Sequence, residues 1–439
     1  MELVQGIIRE VAASDSAGDT AGGLHALMLS NRYLKGAVLS EQSVKEHYDF
    51  LQPLIRAFKA LKPHLAIHEM NRHMLALMGP NQRQGLVIVA LGLPDSWDKA
   101  KAIAGLGASL AAFERPQQQA LVTAALGLVN GLHKARAIAG LGIGLTSLER
   151  PQREALVTAT LGLAGGWNMA QAITGLGAGL AALEWPQQEA LVTIALGLAG
   201  GLHKAQAIAG LGAGLGALDV SQQQALVTAA LGLADGWQKA QAIAGLGAGL
   251  AALEGSQKRA LVMAALGLVN EGNKAQAIAG LGAGLAGLER SQQQELVTAA
   301  LGLAEGVQKA RAIAGLGAGL SALERSQQQA LVTAALNLVR GWDKARAIAG
   351  LGAGLRFLER PQQEALVTAA LGLADGWVDG LHKGQAIAGL GAGLGHLSEP
   401  QQQALVMAAL GLADVRHQAE AIAGLVNGYQ TSRVHGYLR

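Results

Sequence analysis

Lysine recurs in register along this chain, at Lys99, Lys134, Lys204, Lys239, Lys274, Lys309, Lys344 and Lys383. Two positions beyond the same register lie bases or amides: Lys101, Arg136, Gln171, Gln206, Gln241, Gln276, Arg311, Arg346 and Gln385. A row of ammonium groups backed by amides and guanidinia has the donors to meet phosphate or carboxylate oxygens. Just before each lysine the residue types change from copy to copy. One position reads Asp95, Asn130, Gly165, Gly200, Asp235, Asn270, Glu305, Arg340 and Asp375. Two residues on, Trp97, Trp167, Trp237, Trp342 and Trp377 alternate with smaller residues. A varied patch beside a constant cationic one is what a modular contact surface requires. A freely drifting turn followed by a duplicated, solvated lysine would look the same.

What positions these residues is a 35-residue period. Aligned on one leucine, the copies fall at Leu86, Leu121, Leu156, Leu191, Leu226, Leu261, Leu296, Leu331 and Leu366, with a further copy at Leu405 displaced to 39 residues. Each copy carries two helical patterns. In the first, Leu226, Ala230 and Leu233 fall at i, i+4 and i+7, widened by Val227 and Leu231. Its start is expected at the Ser or Pro of the junction. Ser221, Ser291 and Ser326 suit an N-cap, and Pro116, Pro151, Pro186 and Pro361 suit the first turn. Gly236 and its equivalents are expected to end this helix in the left-handed conformation. The second helix is expected from about Trp237 to Glu254, with Ile243, Leu246, Leu250 and Leu253 on one apolar face. Gly245, Gly247 and Gly249 recur inside it although each costs about 1 kcal/mol relative to Ala, so they are read as making room for close helix contact.

A period of this size with two helices per copy predicts an all-α solenoid, a superhelix of about ten two-helix repeats. Residues 1–79 lack the repeat and hold half of the Phe and Tyr, at Tyr33, Tyr48, Phe50 and Phe58, so they are read as a helical cap with a degenerate half-repeat at its end. Residues 80–425 are the array, and residues 426–439 a short basic tail. Within the cap, His64 and His68 share a helix face beside Glu69, but His73 follows His68 by five residues and not four. The zinc-protease spacing is missed and no metal is assigned.

Composition removes several classes. With no cysteine there is neither disulfide nor thiol chemistry. Aromatics are only 3% of the chain, so the core must come from small side chains on closely approaching helices. Apolar runs such as residues 242–253 stop near a dozen residues, short of the roughly 20 needed to span a bilayer. A Sec-type signal is not evident at the N-terminus. No nucleophile–base pair or phosphate loop appears, so no enzyme, cofactor or small-molecule substrate is expected.

Near-identical two-helix units, varied at turns such as Asn130-Gly131 and Asp235-Gly236 and followed by Lys and Gln, resemble the central repeats of TAL effectors from plant-pathogenic bacteria. That resemblance implies base reading at the varied turn and phosphate tracking by the constant Lys and Gln. The segment Ala182-Leu183-Glu184-Trp185-Pro186 more faintly resembles the SKWP-repeat type III effectors. Both imply an effector delivered into a host cell by a specialised route. Two functions stay open: a scaffold binding a protein partner with the tryptophans as anchors, or a modular nucleic-acid binder with the lysine row along the phosphates. The net charge of only +3 favours the protein partner.

Overall fold

The computed structural model describes residues 80–234, 236–304, 306–374, 379–414, 417–418, 420–422 and 424–425. The cap, with His64, His68 and His73, and the C-terminal tail lie outside the described residues. Each repeat consists of an A helix, a short turn, a B helix and a 3₁₀ segment that leads into the next A helix. One repeat runs through the A helix Val220–Leu231, the B helix Gly236–Leu246 and the 3₁₀ turns Gly247–Ala252. The next A helix follows at Gly255–Leu266. Among the described residues there is no strand. The protein is an all-α solenoid.

The A helix starts earlier than the Ser or Pro. Its N-cap is the acidic residue before them, such as Glu149, Glu289 or Asp219. In each case the residue three positions on is a glutamine whose side chain bonds back to the cap's N–H, closing a capping box. For example, the Glu149 N–H donates to Gln152 Oε1 at 2.9 Å. A carboxylate also suits the positive end of the helix dipole, so Ser and Pro move into the first turn.

Gly236 does not end the A helix; it opens the B helix. Among described glycines only Gly165 and Gly306 take positive φ, at 85° and 112°. The B helix is also shorter than expected. Its last α-helical residue in this repeat is Leu246, and the backbone then tightens to 3₁₀. The tightening leaves carbonyls without α-helical partners, and the following A helix takes them up. Gln223, itself buried, donates through Nε2 to the carbonyls of Leu215 and Leu218, each at 2.9 Å. Gln188, Gln293, Gln328 and Gln363 repeat that bond pair.

The expected apolar faces meet. Leu226, Val227 and Ala230 of one A helix are buried, with Leu233 just beyond its end, as are Ile243 and Leu246 of the B helix, Leu250 of the 3₁₀ segment and Leu253 that follows it. Successive B helices touch backbone to backbone. A methyl group added at Gly245 would overlap the backbone of Ala209, and one at Gly247 would overlap the Gly280 carbonyl. Successive A helices are instead joined by side chains. Arg150 pairs with Glu184 at 2.8 Å and Arg325 with Glu359 at 3.3 Å, while Gln152 donates to Gln119 at 2.6 Å. The B row is therefore the tighter side of the stack.

Candidate functional site

The varied residues lie in the turns between A and B helices, and several have local duties there. Asn130 is the N-cap of the B helix Gly131–Ile143 and accepts from the N–H groups of Leu132 and His133 at 2.9 and 3.3 Å. Asn270 caps Glu271–Gly282 by accepting from the Asn273 N–H at 3.1 Å. Arg340 occupies the same position without a side-chain cap. Asp95 reaches the next turn instead, accepting from the Val129 N–H at 2.9 Å. Asp235, Glu305, Asp375 and Trp377 lie outside the described residues.

In the column that reads Asp98, His133, Asn168, His203, Gln238, Asn273, Gln308 and Asp343, Asn168, His203, Gln238 and Asn273 pack against the glycine of the preceding turn. A Cβ placed on Gly131 would stand 3.0 Å from Asn168 Nδ2, and one on Gly236 would stand 3.2 Å from Asn273 Nδ2. Glycine in these turns leaves room for the side chain of the following repeat. Asn168 also donates to the Ala164 carbonyl at 2.9 Å.

The tryptophans take two kinds of position. Trp97, Trp167 and Trp237 are 41%, 45% and 44% exposed. Trp342 is half-buried and lies edge-on to His382, with centroids 5.3 Å apart. Trp97 and Trp167 also face the next repeat's histidine, His133 and His203, at 6.1 Å, and the Arg136 guanidinium stacks on Trp97 at 5.3 Å. Beside them the turns expose Val129, Val269 and Val339 almost fully, at 87%, 98% and 91%. These valines were not among the expected site residues. The signal was present in the alignment, because Pro94, Val129, Ala164, Ala199, Val269 and Val339 form a column that never carries charge.

The lysines are set back from this edge. Lys99, Lys134, Lys204, Lys239, Lys274, Lys309 and Lys344 are half-buried, and Lys383 is buried. Lys99 Nζ donates to the Leu91 carbonyl at 2.9 Å, turned towards the end of its own A helix. The next column is half-buried too. In it the Oε1 atoms of Gln171, Gln206, Gln241 and Gln385 are buried and accept no hydrogen bond. Arg346 stands where its guanidinium is held below its ordinary value, first by burial and then by the neighbouring Arg311 charge, while Asp343 opposes the shift. Asp343 itself is fully buried, and neither carboxylate oxygen has a hydrogen-bond partner. Among the described residues no group of three or more His, Cys, Asp or Glu could hold a metal ion, and no helix is long and apolar enough to cross a membrane.

The fold and this edge define a helical tandem-repeat protein with an elongated, turn-lined surface. No protein-family model matches the chain, and no match was found among curated proteins. Solved structures with similar helical layout include a mutant of Kap121p, at TM-score 0.37 and 11% identity, and Kap121p bound to Nup53p, at 0.36 and 10%. Each alignment covers 100% of this chain and 51% of the other, so the chain spans about half the length of those proteins.

Proposed function

We propose that the chain is a non-enzymatic scaffold that holds a protein partner along its turn edge. The observation that carries this reading is the row of exposed apolar groups there: Trp97, Trp167 and Trp237 with Val129, Val269 and Val339. Exposed apolar side chains set along one edge offer anchor points to a protein, and tryptophan is the residue type most often found to anchor such contacts. The half-buried lysines favour the same reading over phosphate tracking, because a cation drawn back towards its own helix end meets a phosphate only after leaving that setting. The role of an effector delivered into a host cell is the finer form of this proposal and rests on the sequence resemblance alone.

A photo-crosslinking residue at position 167 or 237 tests it. A discrete protein adduct should form, and it should disappear when the other two exposed tryptophans are changed to alanine. Tight binding to DNA or RNA, weakening with salt at a log–log slope of roughly −7 as eight phosphate contacts demand, would overturn it in favour of the nucleic-acid reading.

A further inference from the structure

The A-helix side of the stack is bridged by recurring side-chain pairs, and a run of repeats in its middle departs from them. In four repeats the first residue of the A helix is an arginine that pairs with the next repeat's acidic cap: Arg115 with Glu149, Arg150 with Glu184, Arg290 with Glu324 and Arg325 with Glu359. Between them, Trp185, Val220 and Gly255 hold that position in three consecutive repeats. A second rung joins amides, Gln152 to Gln119, Gln257 to Gln224, Gln327 to Gln294 and Gln362 to Gln329. Between the A helices Trp185–Gly197 and Val220–Leu231 both rungs are replaced. Tryptophan stands at 185 in place of arginine, and Glu189 stands in place of the accepting glutamine. Among the described residues, no ion pair reaches Asp219 or Glu189.

A groove of about 230 Å³ opens at this position. Its walls are Trp185, Val192, Leu196 and Ala225, with Glu189 and Asp219 also lining it. No basic residue lines it. Trp185 is 57% exposed and Val220 is 59% exposed. The Asp219 carboxylate is kept ionised by the Ser221 hydroxyl at 2.6 Å and then by the Gln222 N–H at 2.8 Å, with Trp185 contributing less. A cavity of about 150 Å³ already accepts a benzene-sized group, so this one has room for a single apolar side chain. Two carboxylates without their usual cation then select what flanks it.

We propose that this groove docks a segment of a partner protein that presents one apolar side chain flanked by lysine or arginine. The apolar group packs on the Trp185 ring, and the flanking cations take the place that Arg150 fills in the preceding repeat, where it pairs with both Glu154 and Glu184. The site lies between A helices and does not depend on the turn edge, so it can fail without affecting the reading given above. A nucleic acid is disfavoured by the same two carboxylates.

The full chain, labelled with 5-fluorotryptophan, tests this by fluorine NMR with two probes, acetyl-Lys-Lys-Leu-Lys-Lys-amide and acetyl-Glu-Glu-Leu-Glu-Glu-amide. The lysine peptide should shift the Trp185 resonance saturably and the glutamate peptide should not. Trp185→Arg restores the pairing seen in the preceding repeat, so it should keep the fold. Read by fluorescence anisotropy of the dye-labelled lysine peptide, since this protein has no Trp185 signal, it should bind that peptide roughly tenfold or more weakly, as loss of an anchor implies. Glu189→Gln with Asp219→Asn should weaken the same peptide and flatten its salt dependence. The proposal is overturned if neither peptide shifts Trp185, if both shift it equally, if the Trp185→Arg protein binds the lysine peptide as well as the parent, or if a single-stranded oligonucleotide competes for the site.

Discussion

The two sides of the stack hold the same repeats together by different physics. On the B side, glycine lets backbone meet backbone, and no side chain stands between Gly245 and Ala209 or between Gly280 and Ala244. On the A side, side chains reach across a gap, as Arg290 does to Glu324 and Gln257 to Gln224. Close packing leaves no room for variation, whereas a bridged gap accepts a tryptophan at 185 or a glycine at 255 without disturbing the helix. The A side can therefore acquire a local site, and the B side can only repeat itself.

The largest effect expected from breaking this contrast is at Gly245. Gly245→Ala adds helix propensity worth about 1 kcal/mol, yet its methyl group must displace the neighbouring backbone. A net loss of about 1–3 kcal/mol in urea unfolding should follow. Gly255→Ala, where nothing lies within 4 Å of the added methyl group, should be neutral or slightly stabilising. Equal results at the two positions would show that the B side is not specially close-packed.

Gln223→Leu examines the joint between the sides. It leaves the Leu215 and Leu218 carbonyls without their donor, and a loss of about 1–3 kcal/mol is expected. Asp343→Asn should act in the opposite direction. It replaces a fully buried carboxylate that accepts no hydrogen bond with an amide able to donate four residues back, as Asn168 donates to Ala164. A gain of about 1 kcal/mol in the same unfolding measurement is expected. A loss instead would mean that the charge, and not the shape, is needed there.

The smallest effect is on the A side and depends on pH. Because the folded Asp219 carboxyl is lowered, the stability it contributes is present above the ordinary aspartate value of about 3.9 and is lost as the pH falls through the lower folded value. Ser221→Ala removes the main cause of the lowering. The acid unfolding midpoint should move up slightly, with no change near neutral pH.

Much of the fold was legible before any coordinates. The i, i+4, i+7 stripe at Leu226, Ala230 and Leu233 and the face at Ile243, Leu246, Leu250 and Leu253 are properties of one short segment, and each segment buries what its pattern says. The candidate edge was less legible. Residue type alone marked Asn130 and Asn270 as varied contacts, but their side-chain oxygens cap the helices that follow. The lysine row read as a line of cations, but the lysines are half-buried or buried.

The sequence by itself determined the period, the pairing of helices within it and the small-residue face on the B helix, because these follow from local spacing and side-chain volume. Only the tertiary structure decided where the B helix tightens to 3₁₀, which carbonyls Gln223 must satisfy, that Asp343 is buried without accepting a hydrogen bond, and that Trp185 and Asp219 border a groove. Each of those depends on groups about one repeat apart or on adjoining elements, and they face one another only after the repeats have stacked.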